Sequence, residues 1–502
     1  MPAVSTALHA SRGLVQINLT TISLGLVLLA SAYVFYYRFL HPLAKVPGPF
    51  WASLTRLWHL KKSRDGDLHR VMIDLHAKHG YLVRTGPNEV SVSDPTAIRT
   101  IYGAGTKFQK SKWYSVWQGH RKFDLFGEQD EKKHGQQRRL VSRAYTVETL
   151  KDLEPDVDRT IHLLNDNLRQ RQGQVINLGR WVQLFAFDII GELSFSRSFN
   201  FLESAQDDGS FAAIENALVS AAWVGQMPWI FWLNDYLSPY IGNHLALNAR
   251  HGSIRTLAAN EVSARKDRGS DRRDILSKLI PVHHEKPADF DAAALTSMAT
   301  TNIFAGSDTT AISTRAIIYF LLKNPECKTR LVEEIDTFRR NRKLSDPALL
   351  SEANDMPYLQ AVMYEALRLH PAVGMSLPRV VPQGGCTVDG VYLPAGAVIG
   401  ANPWVIHRNK EVYGEDVEAF RPERWMKKET GDMQRFFFTF GSGARLCIGK
   451  NISWMEMSKL IPSLFLNFNI ELAQPDEEWR EQCAWFVLQE GLNCVVTPRS
   501  HA

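Results

Sequence analysis

Residues 436–449 read Phe-Phe-Phe-Thr-Phe-Gly-Ser-Gly-Ala-Arg-Leu-Cys-Ile-Gly. They set one cysteine, Cys447, among Gly441, Gly443 and Gly449, two residues after Arg445. Glycine lets backbone amides approach a ligand atom and point at it. Amide hydrogen bonds and a nearby cation favour thiolate over thiol. A thiolate so held suits the axial position of a haem iron, to which it donates electron density that favours O–O cleavage. Two other readings compete. As a dinucleotide fingerprint the segment fails, because Leu446 stands where the third glycine of Gly-x-Gly-x-x-Gly belongs. A lone cysteine is also often a buried structural thiol.

Two further clusters carry chemical potential. Ala305-Gly306-Ser307-Asp308-Thr309-Thr310 lies midway along a helical stretch from Asp289 to Lys323, which ends before Pro325. Gly, Ser and Thr are poor helix-interior residues. Back-bonding by their hydroxyls and the missing Cβ are expected to loosen the hydrogen-bond ladder, as happens at functional sites. The plainer reading is a kink in a core helix. Glu365 and Arg368 stand three apart, on one helix face, where they can pair. Taken alone they could form a surface ion pair of little worth.

The elements around these clusters bound the fold. The chain has 502 residues, 45% hydrophobic and 22% charged, close to the globular average. This excludes a disordered, collagen-like or polytopic membrane chain. Five cysteines without a Cys-x-x-Cys pair exclude a disulfide framework or zinc ribbon. The 58 Lys and Arg exceed the 53 Asp and Glu by only five, so no nucleic-acid partner is expected. Asp67 is placed to cap a helix that Gly80 closes. Residues 81–85 and 89–93 read as strands, and Asp94-Pro95 opens another helix. From 146 to 323 the pattern is helical, with polar loops at 265–274 and 281–287. Strands return near 386–398 and 485–497. Strands at both ends with helices between imply one interleaved, mostly helical α+β domain.

No charged side chain occurs between Arg12 and Arg38, and residues 17–37 are the most apolar part. Twenty-one helical residues span about 31 Å, enough for a bilayer core. Tyr33, Tyr36 and Tyr37 suit a headgroup belt. The rival is a cleaved signal peptide at Ala30-Ser31-Ala32, although the apolar run continues five residues past it. The expected organisation is a membrane anchor at 1–40, a proline-rich hinge at 41–50 and a catalytic domain at 51–502.

Phe-x-x-Gly-x-Arg-x-Cys-x-Gly is matched at Phe440, Gly443, Arg445, Cys447 and Gly449. Here the chain resembles the cytochrome P-450 (haem-thiolate monooxygenase) superfamily. Glu365-Ala-Leu-Arg368 matches the family's Glu-x-x-Arg helix, and Phe420-Arg-Pro-Glu-Arg-Trp425 the segment whose second arginine, Arg424, completes a structural Glu-Arg-Arg network. The resemblance implies haem b (iron protoporphyrin IX) on Cys447, with Phe440, Gly441 and Gly449 in the loop that cradles it. Its propionates would meet His134, Arg138, Arg379 and Arg445. Thr309 and Asp308 would hold and supply protons in a groove that admits O2. The hinge and the style of the cysteine loop look like those of fungal microsomal members, and are similar to the pisatin demethylase-like group. That implies a single-pass protein of the endoplasmic reticulum membrane with a cytosolic catalytic domain, working in secondary metabolism (polyketide, terpenoid or alkaloid) or in detoxifying plant compounds.

The pocket is expected to be aromatic, drawn from Trp113, Tyr114, Trp117, Phe123, Phe126, residues 373–377, Trp485 and Phe486, to suit a bulky, mostly apolar molecule; residues 223–232 are expected either to roof it or to dip into the membrane. Five basic and no acidic residues in 132–143, and six basic against three acidic in 427–459, suit docking of a separate NADPH-cytochrome P-450 reductase. Two alternatives stay open. One is a haem-thiolate isomerase or dehydratase that does not use O2, and the other a non-catalytic haem-binding membrane protein.

Overall fold

The computed structural model describes residues 20–242, 254–269, 271–427 and 430–500. Helix α1 (Thr20–Leu40) is 21 residues long, and its most apolar 18-residue stretch has mean hydropathy 1.5 and is unburied. It runs three residues beyond the expected span, through a π-turn at Tyr36–Leu40; residues 17–19 of that span lie outside the described residues. The proline segment that follows is pinned at two points, Leu43 and Val46, which are buried, while Pro42 and Pro47 stay exposed. Arg84 holds it. The Arg84 backbone amide donates to Pro47 O (2.7 Å), and its buried guanidinium to Tyr37 O (2.8 Å) and Pro87 O (2.6 Å). A Cβ at Gly48 would lie 2.4 Å from Arg84 O, so the chain can pass only as glycine.

Helix α2 (Leu68–His79) ends at Gly80 as expected, but the Asp67 side chain makes no cap bond. Strands β1 (Leu82–Gly86) and β2 (Glu89–Val92) form the expected hairpin, and α3 (Pro95–Tyr102) is capped by Asp94 through the Thr96 amide. The hairpin belongs to a five-stranded sheet completed by β3 (Gln109–Lys110), β4 (Arg379–Val380) and β5 (Val398–Ala401), in the order β1-β2-β5-β4-β3. The antiparallel register of β3 on β4 sets Lys110 directly opposite Arg379.

The helical body contains α4 (Glu131–Val141), α5 (Val147–Gln170), α6 (Leu178–Phe195), α7 (Pro228–Ile241), α8 (Ile275–Glu285), α9 (Ala292–Lys323), α10 (Pro357–Leu369) and α11 (Lys450–Asn467). Most of α9 is buried. It starts at Ala292 rather than Asp289, because the Asp291 carboxylate accepts from the Ala294 amide (2.7 Å). The loop expected at 281–287 is largely helix. Asp274 caps α8 through the Ser277 amide (2.6 Å), and buried Ile275, Leu276 and Leu279 carry the helix past Pro281. The strands expected at 485–497 are two pairings: Arg480–Ala484 with Phe486–Glu490, and Asn493–Pro498 between Val175–Asn177 and Phe468–Leu472. Those expected at 386–398 resolve into a hairpin, Cys386–Val388 with Val391–Leu393, followed by β5.

A buried ion network joins α10 to the cysteine loop. Arg368 grips Glu365 with two bonds (2.8 and 2.9 Å), and Arg424 Nε (2.8 Å), Trp425 Nε1 (2.8 Å) and the Arg421 amide (3.0 Å) fill the remaining lone pairs of the same carboxylate. Arg368 also donates to His407 O (3.0 Å) and Val417 O (2.7 Å). His407 extends the chain: its Nδ1 donates to Arg368 O (3.0 Å) and its Nε2 accepts the Phe438 amide (2.7 Å). Burial, with Arg368 close by, lowers the His407 pKa to about 3, so the ring is neutral and one tautomer serves both bonds. Thr439 Oγ1 adds a bond to Leu367 O (3.0 Å). Burial raises the Glu365 pKa, but its arginines more than offset this and hold it below the usual range.

Because Glu365 is depressed in the folded state, its stabilisation is present above the ordinary carboxylate range and fades as pH falls through the folded value. Glu365→Ala strands two buried guanidiniums and is expected to cost about 3–5 kcal/mol. His407→Phe leaves one amide and one carbonyl unpaired, for about 1–3 kcal/mol each. Urea unfolding of both variants checks this, and wild-type stability for either would refute it.

Candidate active site

The cysteine loop turns twice on left-handed glycines, Gly441 (φ 72°) and Gly443 (φ 60°). At Gly443 a Cβ would sit 2.0 Å from Tyr102 O. The Cys447 amide closes the turn on Phe440 O (2.9 Å), so Phe440 and Gly441 build the turn below the thiol. The Cys447 side chain is exposed, but to the main internal cavity inside the protein body, and this removal from bulk water raises its pKa. The Gly449 and Lys450 amides at the start of α11, together with Arg138 and Lys450 charge, work the other way. The N-terminal end of an 18-residue helix adds to that pull. Arg445, expected to act on the thiol, turns instead to Glu131 (2.8 Å).

One edge of the cavity is a cluster of basic side chains. His134 and Arg138, four apart on α4, both line it, with Arg379 and Arg445. A fifth basic side chain, Lys110, stands among them. Its Nζ lies 4.3 Å from the Tyr114 ring and 4.8 Å from the Phe126 ring, bonded to Phe126 O. Arg379 Nη1 donates to Tyr114 Oη (3.2 Å). Among the described residues Lys110, Arg138 and Arg379 have no carboxylate partner, and Arg445 Nη1 has none of any kind. The cost is visible in the titrations. Burial, then the positive charges of Arg445, Lys110, Arg138 and Arg379, push His134 down to about 3; burial, then Arg379 and Arg445, take Lys110 well below its ordinary value. A buried group of like charges needs anions to be stable.

On the other side α9 is unbroken through 305–310, so the expected loosening of its ladder is not seen. The hydroxyls are bonded one turn back: Ser307 to Ile303 O (2.6 Å), Thr309 to Ala305 O (2.6 Å) and Ser313 to Thr309 O (2.8 Å). Thr309 and Thr310 line the cavity, but Asp308 does not. One residue turns a helical side chain by about 100°, and Asp308 accepts from Gln183 on α6 (3.1 Å), whose Oε1 accepts from Arg315 (2.9 Å). Burial raises the Asp308 carboxyl to about 6, against those two partners.

The remaining walls are apolar. Tyr114, Phe126, Phe304, Trp485 and Phe486 line a cavity of about 290 Å³, with Ile190, Ile254, Ala372, Val373 and Leu377. Trp113, Trp117 and Phe123, expected in the wall, are core residues behind it. Trp113 backs Trp485 at 4.7 Å, and Trp485 itself bends the hairpin with a left-handed backbone (φ 76°). Residues 223–232 do not line the cavity, and Trp229 and Trp232 lie exposed on α7.

The family profile described as Cytochrome P450 matches residues 47–495. The chain belongs to the cytochrome P450 family. Among its relatives are Cytochrome P450 monooxygenase hepC of Aspergillus oryzae, 41% identical over 485 residues (92% of this chain, 94% of the relative), and Pisatin demethylase of Fusarium vanettenii, 36% identical over 475 residues (93% and 92%). Cytochrome P450 monooxygenase gsfF of Penicillium aethiopicum is 36% identical over 487 residues (93% and 96%). The protein is a P450 monooxygenase that uses haem b, O2, a redox partner and a small-molecule substrate. The residues present fit that cofactor. The cations without counter-charges suit two buried propionates, and a cavity-facing sulfur under two helix-end amides suits a thiolate.

Reading the sequence missed Lys110, Glu131 and His407. Nothing in the local pattern around Lys110 marks it; its place depends on the pairing of β3 with β4. In this P450, Lys110→Met is expected to stabilise the haem-free protein, by removing one buried unpaired charge, and to speed haem loss. Calorimetry of the haem-free protein and haem transfer to an acceptor protein measure the two effects. Slower loss, or a less stable haem-free form, would contradict the role of Lys110.

Proposed function

We propose that this P450 oxidises a bulky, mostly apolar small molecule in fungal secondary metabolism, anchored by α1 in the endoplasmic reticulum membrane with its catalytic domain in the cytosol. The cavity carries the substrate class: an aromatic and aliphatic enclosure between α9 and Cys447 takes apolar bulk and excludes water. The relatives, among them a demethylase by name, support a small-molecule substrate. Electrons would come from a separate NADPH-cytochrome P-450 reductase. Lys132, Arg139 and Arg143 are exposed on or just beyond α4, the helix whose inner side bears His134 and Arg138. The second basic run contributes less than its composition suggested. Lys459 is buried on Glu154 (2.7 Å) and Asp158 (2.9 Å), Arg445 is taken by Glu131, and residues 428–429 lie outside the described residues.

Haem b supplies the iron chemistry that activates O2 and inserts one oxygen atom. Cys447 would be its thiolate ligand, its negative charge met by the Gly449 and Lys450 amides. Arg379, Arg445, His134, Arg138 and Lys110 would hold the propionates and so fix the plane of the group. Glu365, Arg368 and Arg424 are structural, holding the loop at its working distance. Thr309, whose own proton is given to Ala305 O, presents lone pairs to the cavity and would accept and orient a proton donor there. Asp308 would act from the far side of α9, reaching the cavity only by leaving Gln183.

The reduced protein exposed to CO is expected to show the strongly red-shifted Soret band of thiolate ligation, and Cys447→His to lose it. An unchanged band in that variant would move the ligand to another cysteine. Thr309→Ala is expected to keep haem and NADPH consumption while peroxide replaces much of the product. Unaltered product yield per NADPH would remove Thr309 from the proton path.

A further inference from the structure

Residues 124–131 carry four carboxylates, and three of them are taken up locally. Asp124 pairs with Arg121 and accepts from the amides of Phe126 and Gly127 (2.8 Å each). Glu128 pairs with Lys133 (2.6 Å), and Asp130 caps α4 through the Lys133 amide (2.8 Å). The fourth, Glu131, is the first residue of α4 and is free of the capping role. It turns to the cysteine loop instead. Arg445 Nε donates to both of its oxygens (3.1 Å each) and Arg445 Nη2 to Oε1 (2.8 Å).

The pair has a direction. A guanidinium is a planar, rigid fork. With the Nε–Nη2 edge on Glu131, Nη1 is turned away from the carboxylate, and it is this buried atom that has no partner. Arg445 and Arg379 line both the main cavity and a second recess of about 210 Å³, whereas Glu131 lines the recess alone. Arg445 therefore stands between the two spaces, with its anion on the outer side. The backbone beneath it is fixed as well, since Gly443–Arg445 form one tight turn packed on Tyr102 O. Glu131 also brings charge to the basic edge, and its field, with that of Asp124, reaches Lys110.

We propose that Glu131 is a positioning residue for haem b that acts through Arg445. It holds the fork so that Nη1 faces the propionates, and its charge sets the reduction potential of the iron lower than the basic edge alone would. This rests on the assignment of that edge to the propionates. The carboxylate makes and breaks no covalent bond. Reduction of the iron adds negative charge, which a fixed carboxylate nearby opposes.

Potentiometric titration of the full-length, haem-loaded protein and haem transfer to an acceptor protein test the two halves. Glu131→Gln removes the charge and keeps an oxygen that can accept from Arg445. Its potential is expected to shift positive. Glu131→Ala removes charge and acceptor together. Its potential is expected to shift the same way, while its haem leaves several-fold faster than from Glu131→Gln, because the fork is no longer held. Asp130 keeps the α4 cap in both variants, and the thiolate Soret band with CO checks that the site is intact. A merely structural glutamate would leave the potential where it was. The proposal is overturned if Glu131→Gln shows no positive shift, or if the two variants lose haem at the same rate. Arg379→Gln separates it from the reading beneath it. Faster haem loss from that variant supports the propionate assignment, so that failure of the Glu131 variants falls on Glu131 alone. Loss at the wild-type rate removes the assignment and the proposal with it.

Discussion

The Glu365 carboxylate, sealed from water and shared by Arg368, Arg424, Trp425 and the Arg421 amide, is the contact on which the rest of the site depends. Such a network is a weak source of net stability, since its desolvation nearly offsets its attraction. Its value is geometric. Arg368 hands its position to His407 through one carbonyl, and His407 hands it to the Phe438 amide at the entrance of the cysteine loop. The loop ahead of Cys447 is thus held from α10 rather than by its own turns alone, and a glycine-rich segment can be both permissive in backbone and fixed in place.

The second constraint is electrostatic and runs the opposite way. Five basic side chains from four separate parts of the chain, β3, β4, α4 and the cysteine loop, converge on one edge, and among the described residues a single carboxylate, Glu131, is bonded to one of them. A neutral interior would be easier to fold. The arrangement is sensible as half of an interaction whose other half arrives with the cofactor, and it makes folding and haem loading interdependent.

Much of this was legible in the residues themselves. Glu365 and Arg368 stand three apart on one helix, where spacing sets their pairing, Cys447 was marked by the glycines around it and Arg424 by the family resemblance, and the helical stretch of α9 was readable to within three residues at its start. The chain was less legible wherever a role depends on strands meeting across hundreds of residues, as with Lys110 opposite Arg379, or on a link such as His407 that belongs to no motif. Helical phase separated Asp308 from Thr309, which adjacency in the sequence had joined. Composition misled at Lys459, a charge in a basic run that α11 carries into the core on two carboxylates; of the two readings of residues 223–232 the roof over the cavity fails, while Trp229 and Trp232 lie exposed and Phe231 is buried in the core.

The clamp made by Arg84 relocates the boundary between the apolar helix and the catalytic body. Tyr33 Oη bonds to Leu54 O (2.7 Å), Arg38 reaches Ser53, and Arg84 holds Tyr37 O, so the last turns of α1 already belong to the globular part. A body joined to its helix in this way has no swivel. Arg84 stands on β1, in the same sheet as Lys110 and Arg379, and the direction of the helix is therefore geared to the cationic edge of the cavity. The angle at which the apolar helix meets the cavity is thus written into the chain by its own contacts.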